Sequence, residues 1–167
     1  MNFTSIQSWI AAVVPIMLIG CTQTVSDGPP EVRYGQTECA HCGMIVSEAR
    51  FASAICASLE GEARELVYDD IRCMVLNERH VKMPTDARRY VHDFETSKWL
   101  KAEEARFIRD PQTMTPMGSG LLAFAPDSPR AVDGVTYSQI ESLLKRDKPA
   151  DHEPPATQSS DADHSHP

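Results

Sequence analysis

The sequence predicts a small α+β protein, and three observations lead there. Short runs of small, branched and aromatic residues alternate with turn residues. The segment after Asp69-Asp70 carries helical periodicity. The order strand, strand, helix occurs twice along the chain. The two occurrences share no clear sequence identity, so the repeat is one of topology. It suggests two similar subdomains, at about 37–85 and 86–146.

The first strand is placed over 51–59 (FASAICASL), with small and branched residues in partial alternation, and the second over 65–68 (ELVY). Asp69 and Asp70 stand where a helix N-cap belongs. Ile71, Met74, Val75 and Glu78 then fall at helical spacing, three of them apolar, and Pro84 closes the unit. In the second unit, 89–94 and 105–108 read as strands, and 121–125 (LLAFA) follows a Gly-rich turn. Thr136 and Gln139 have capping-box spacing and open a helix with Tyr137, Ile140, Leu143 and Leu144 on one face.

The ends read differently. Ile10 to Ile19 is an apolar run of signal-peptide length, too short to be a good membrane span. It leads into Leu18-Ile19-Gly20-Cys21, which resembles a bacterial lipobox, although residues 1–9 contain no Lys or Arg. Residues 1–20 are therefore expected to be removed, leaving Cys21 lipidated. Each buried acyl CH₂ contributes about 0.8 kcal/mol, and firm anchoring takes more than one chain. Residues 21–36 carry Gly28-Pro29-Pro30 and read as a polar tether. Residues 147–167 hold four prolines and no aromatic residue, and are expected to be a disordered tail. Its His152, His164 and His166 are weak candidate metal scavengers. The folded part is then 37–146. The chain is expected to sit in the cell envelope, lipid-anchored to a bacterial membrane and facing the periplasm.

Composition excludes some functions. The 167 residues carry a formal charge of −8, which gives nucleic acid no electrostatic attraction. No GxSxG, no HExxH and no Cys-His pair with an obvious third partner is present, so no enzyme is expected.

Chemistry concentrates in sulfur. With Cys21 set aside, Cys39, Cys42, Cys56 and Cys73 remain. Outside the cytoplasm, four thiols ordinarily form two disulfides. The segment Glu38-Cys39-Ala40-His41-Cys42-Gly43-Met44 argues for a metal instead. A CxxC turn points two sulfurs one way, Gly43 relieves the backbone, and His41 and Met44 add imidazole and thioether. Thiolate with thioether favours copper(I), and thiolate with imidazole also suits zinc. A thioredoxin-type dithiol or a structural disulfide fits the CxxC but leaves Met44 without a purpose.

Cys73, on the first turn of the helix, is the natural third sulfur. A CxxC turn plus a cysteine at a later helix start is how treble-clef zinc sites are assembled, while the alternative is a buried thiol beside Met74. Cys56 is read as a small core residue in mid-strand. In Asp110-Pro111-Gln112-Thr113-Met114-Thr115-Pro116-Met117-Gly118, the Pro and Gly around Met117 make a rigid turn that displays it. Met114 is assigned to the core, and His92-Asp93 to the surface.

Taken together, ECAHCGM, YDDIRCMV, RYVHDFETSKWLKAEEARFI and TPMGSGLLAFAP, in that order after a lipobox, resemble the NosL family of nitrous oxide reductase accessory lipoproteins. The resemblance runs from about Glu38 to Arg146. It implies a copper(I) chaperone of the periplasm that passes copper, through an ABC-type membrane complex, to the copper sites of nitrous oxide reductase. It also implies the two ββαβ-type subdomains. Carried onto this chain, the copper donors fall on Cys39, Cys42 and Met44 and on Met117. The pattern assigns no role to His41, and Cys73 is a variable position in it. Two other readings stay open: a zinc module using Cys39, Cys42 and Cys73 to dock a partner, and a thiol-disulfide protein.

Overall fold

A computed structural model describes residues 27–145. Its first sheet has four antiparallel strands in the order β2-β1-β3-β4: β1 (Ser53–Leu59), β2 (Glu62–Tyr68), β3 (Arg88–His92) and β4 (Trp99–Lys101). β1 and β2 form a hairpin with Ser53 opposite Tyr68 and Leu59 opposite Glu62. β3 lies on the other side of β1, with Ser53 opposite Val91. Since β2 and β3 are both antiparallel to β1, they are parallel to each other. Such a pair needs a crossover connection, and helix α1 (Ile71–His80) provides it. A second, two-stranded sheet pairs β5 (Arg106–Arg109) with β6 (Leu121–Phe124).

The mixed α+β class holds, and the chain order β1, β2, α1, β3 is a ββαβ unit. That unit closes with β3, so it runs past the expected boundary near residue 85 and shares one sheet with β4. The second unit is the β5–β6 hairpin followed by a 3₁₀ turn (Tyr137–Gln139) and short α2 (Glu141–Leu144). β4 has no forecast in the sequence, because three residues (WLK) are too few for a period to appear.

The local reasons are visible. β1 is buried over Ser53–Ala57, as a central strand covered on both faces must be, so its residues are small or branched. Asp70 is the N-cap of α1, its side chain accepting from Arg72 N–H at 2.8 Å. Ile71, Met74 and Val75 of α1 enter a core with Ile55, Val67, Tyr68, Val91, Phe107 and Leu121. The Thr136/Gln139 capping box forms as the spacing predicts. Ile140 and Leu143 are buried behind it.

Two expectations need correction. His92 and Asp93 are buried rather than surface residues. The His92 ring packs on Trp99 with centroids 3.6 Å apart and makes ring-nitrogen hydrogen bonds with the Ala52 carbonyl and the Tyr34 hydroxyl. Burial lowers its pKa and favours the neutral ring. Asp93 accepts from Glu95 N–H, Thr96 N–H, Thr96 Oγ1–H and Ala125 N–H. A buried carboxylate so satisfied acts as a loop staple.

The expected tether over 21–36 is also shorter than its composition suggests. From Asp27 onward the chain lies against the sheet. Arg88 pairs with Asp27 at 2.8 Å, Tyr90 hydroxyl donates to the Asp27 carbonyl, and Gly35 N–H donates to the Val46 carbonyl. Partners distant in sequence hold it, which polarity alone cannot reveal. The expected signal peptide, Cys21 and the tail histidines lie outside the described residues. Among those residues, no helix is long and apolar enough to cross a membrane.

Candidate metal centre

Residues 38–45 form a turn closed by a β-bridge between Glu38 and Ile45. Cys39 N–H donates to the Met44 carbonyl at 2.7 Å, and Gly43 N–H to the Cys39 carbonyl at 2.9 Å. Gly43 has φ +75°, the left-handed region where a side chain is strained, so glycine suits it. Ala40 N–H donates to the Val67 carbonyl at 2.8 Å and docks the turn on the end of β2. Cys39 thereby faces inward and is buried, while Cys42 stays exposed at the rim.

β2 ends at Tyr68, two residues follow, and α1 begins. Cys73, on the first turn of α1, is buried. Tertiary packing brings the Sγ atoms of Cys39, Cys42 and Cys73 and one Asp69 carboxylate oxygen all within 4.8 Å of one another. Cys42 Sγ–H donates to Asp69 Oδ1 at 3.6 Å. The other oxygen, Oδ2, is buried and has no hydrogen-bond partner. All four cysteines of the described residues are free thiols.

The three sulfurs are electrostatically unequal. The Cys73 thiol, hydrogen-bonded to Cys39, holds Cys39 down to about 6 against burial, and backbone groups of Cys42, Asp69 and His41 add to the effect. Cys73 moves far upward for the complementary reason, its proton serving Cys39, with burial adding to it. Burial also raises Cys42. The cluster thus holds one ready thiolate beside two thiols, and the thiolate is the metal-binding form.

The donor set fits a metal ion. In a tetrahedral site with metal–sulfur bonds of about 2.3 Å, sulfurs stand roughly 3.8 Å apart. The cluster needs only a small contraction to reach that. Three sulfurs and a carboxylate suit zinc, and sulfur alone suits copper(I). Cys56 stands apart from the cluster. Burial lifts its thiol to about 11, the condition of a core residue.

The methionine turn reaches the same helix start. The Asp70 carboxylate accepts from Thr115 Oγ1–H at 2.7 Å, Met117 N–H at 3.0 Å and Ser119 Oγ–H at 2.9 Å, besides capping α1. Gly118 and Gly120 adopt positive φ. A Cβ on Gly120 would meet the Asp110 carbonyl oxygen at 2.5 Å, so only glycine fits there. Met117 is half-buried and packs against the core, its backbone anchored to the residue next to Asp69. Met44 is 43% exposed.

Met114 is 84% exposed, which corrects its assignment to the core. The turn is fastened through Thr115, Met117 and Ser119, leaving Met114 on the outside. His41 is no member of the cluster. Its ring stacks near that of His80, with centroids 6.2 Å apart. The residue that sequence reasoning missed is Asp69, read there only as a capping candidate. Its signal was the doubled acid: one Asp caps the helix, and the other is free for a second task.

The NosL family model matches residues 33–131. That is more than half of the chain, and the chain belongs to the NosL family. The span contains the thiol turn, the Asp69-Asp70 junction, Cys73 and the methionine turn. No curated protein and no solved structure matches the chain.

Proposed function

We propose that this NosL-family chain is a copper(I) carrier without catalytic turnover. Cys39, Cys42 and Cys73 are the thiolate donors, and Met44 and Met117 supply thioethers at the rim. One observation carries this reading: three free thiols from two separate segments converge within 4.8 Å, at a point reachable from the surface through Cys42. A carrier must bind tightly and still release. Buried Cys39 and Cys73 are the retaining donors. Exposed Cys42 and Met44 are the donors that a partner's ligands can replace one at a time. Thioethers carry no proton, so Met117 and Met44 serve at any pH, whereas each thiol must lose one.

Family membership is what supports a destination. We assign delivery to the copper sites of nitrous oxide reductase through an ABC-type membrane complex. In that assignment the protein is anchored by lipid on Cys21 at the periplasmic face of the cell envelope.

A second reading has its own support. Asp69 completes a four-donor set of the kind zinc takes, so a zinc module that docks a partner remains the competitor. Native mass spectrometry of residues 22–167, reduced and anaerobic, separates the two. The carrier reading expects one copper(I) per chain that zinc does not displace. Zinc that copper(I) fails to displace would establish the competitor. A stable Cys39–Cys42 disulfide with no metal bound would instead favour a redox protein.

A further inference from the structure

The carrier reading leaves one group unused. Asp69 is 2% exposed, and its Oδ2 has no hydrogen-bond partner. A buried carboxylate without a partner is costly, and such groups are ordinarily paired or bound to a metal. Among the described residues no Lys, Arg or His forms an ion pair with it. Oδ1 takes the Cys42 S–H.

We propose that Asp69 is the specificity-determining residue of the centre: its carboxylate completes the donor set of a divalent ion such as zinc and stays outside that of copper(I). The inference rests on the carrier reading and refines it. A carboxylate oxygen is an ordinary zinc donor at about 2.0–2.2 Å, and it brings negative charge to a divalent ion. Copper(I) is soft and singly charged, takes sulfur, and gains little from a hard oxygen. When copper(I) sits on the sulfurs, Asp69 stays outside the donor set, beside the Cys42 sulfur that it already contacts. When zinc enters, the three sulfurs and Asp69 close around it. The same cluster therefore has two donor sets, three sulfurs and an oxygen for zinc, sulfur alone for copper(I), and Asp69 is the difference between them.

The test uses the chain from residue 22 with Asp69→Asn, and Asp69→Ser carried in parallel so that one misfolded variant does not end it. Circular dichroism of the apo forms checks the fold. Competition against chelators of known affinity then gives zinc and copper(I) dissociation constants for each. We expect zinc binding to weaken at least about tenfold, the scale at which perturbing a metal's support becomes visible, with copper(I) binding within about threefold of wild type. Equal losses for both ions in a folded variant would overturn the assignment of Asp69 and leave the carrier reading standing. Unchanged zinc binding would overturn it likewise. A wild-type chain that takes zinc but no copper(I) would overturn the carrier reading, and the discrimination with it.

Discussion

Asp69 and Asp70 are neighbours with the same side chain and almost the same burial, 2% and 1%, yet they belong to two different regions. Asp70 faces the methionine turn, where donors from Arg72, Thr115, Met117 and Ser119 use up its acceptor capacity. Asp69 faces the thiol turn, where it meets one weak S–H donor and has one oxygen unpartnered. Burial is therefore a poor guide to role, and satisfaction is a better one. A carboxylate whose hydrogen bonds are complete is architecture, and a buried one whose bonds are incomplete marks a site. The same contrast separates Cys56, buried apart from the cluster, from Cys39 and Cys73, buried against each other.

The largest expected effect tests the architectural side. Asp70→Ala removes the cap of α1 and strands the Thr115 and Ser119 hydroxyls and the Met117 N–H. We expect a loss of about 3–5 kcal/mol in urea unfolding, on the scale of breaking a buried charged network. A loss under about 1 kcal/mol would break the comparison. On the other side, Cys73→Ser should weaken metal binding by tenfold or more in the same competition assay, whereas Cys56→Ser should leave affinity and stoichiometry unchanged. Equal effects of the two substitutions would erase the distinction between clustered and isolated thiols.

The pH dependence of the apo protein is a subtler test. Cys39 is lowered from an ordinary 9.0 to about 6, so between those values the unfolded chain binds more protons there than the folded one. Its contribution to stability is complete above about pH 9 and is lost as pH falls through about 6. Cys42 and Cys73 are shifted upward. The folded state keeps their protons after the unfolded chain has released them, so their contribution falls as pH rises above 9. We expect the denaturation midpoint of reduced apo protein to climb from pH 6 to pH 8, and Cys39→Ser to flatten that climb. A midpoint in the wild type that falls over this range would contradict the unequal thiols. The smallest effect on stability belongs to Met117→Ala. Because Met117 is half-buried, it should cost less than the 2–5 kcal/mol of a fully buried methionine while weakening copper(I) binding. A loss at the upper end of that range would make Met117 a core residue and end its role as a displayed donor.

Much of this was legible along the chain because it is local. The bounds of α1 follow from a doubled acid before an amphipathic run. Strand β1 and the end of β2 follow from short apolar runs, whereas the polar start of β2 and the turn at Glu60-Gly61, both at positive φ, were not read. The thiol turn follows from CxxCG. The resemblance to the NosL family rested on ordered motifs, and the family match covers the same motifs. His92, Asp93 and Met114 were misplaced because their surroundings come from elsewhere in the chain: Trp99 and Tyr34 for His92, the Ala125 N–H for Asp93, and the Asp70 clasp that turns Met114 outward.

Local patterns were enough for the sulfur motifs, the class of the fold and the start of the helix, since composition, period and capping act over a few residues. The sequence could nominate Cys73 as the third sulfur but not place it. Packing between distant segments sets which thiols meet, which aspartate stands among them and which is consumed in holding the methionine turn. Those outcomes depend on how the turn over 38–45 and the turn over 115–120 pack against one helix start, and contacts between distant segments leave no period in a sequence to read.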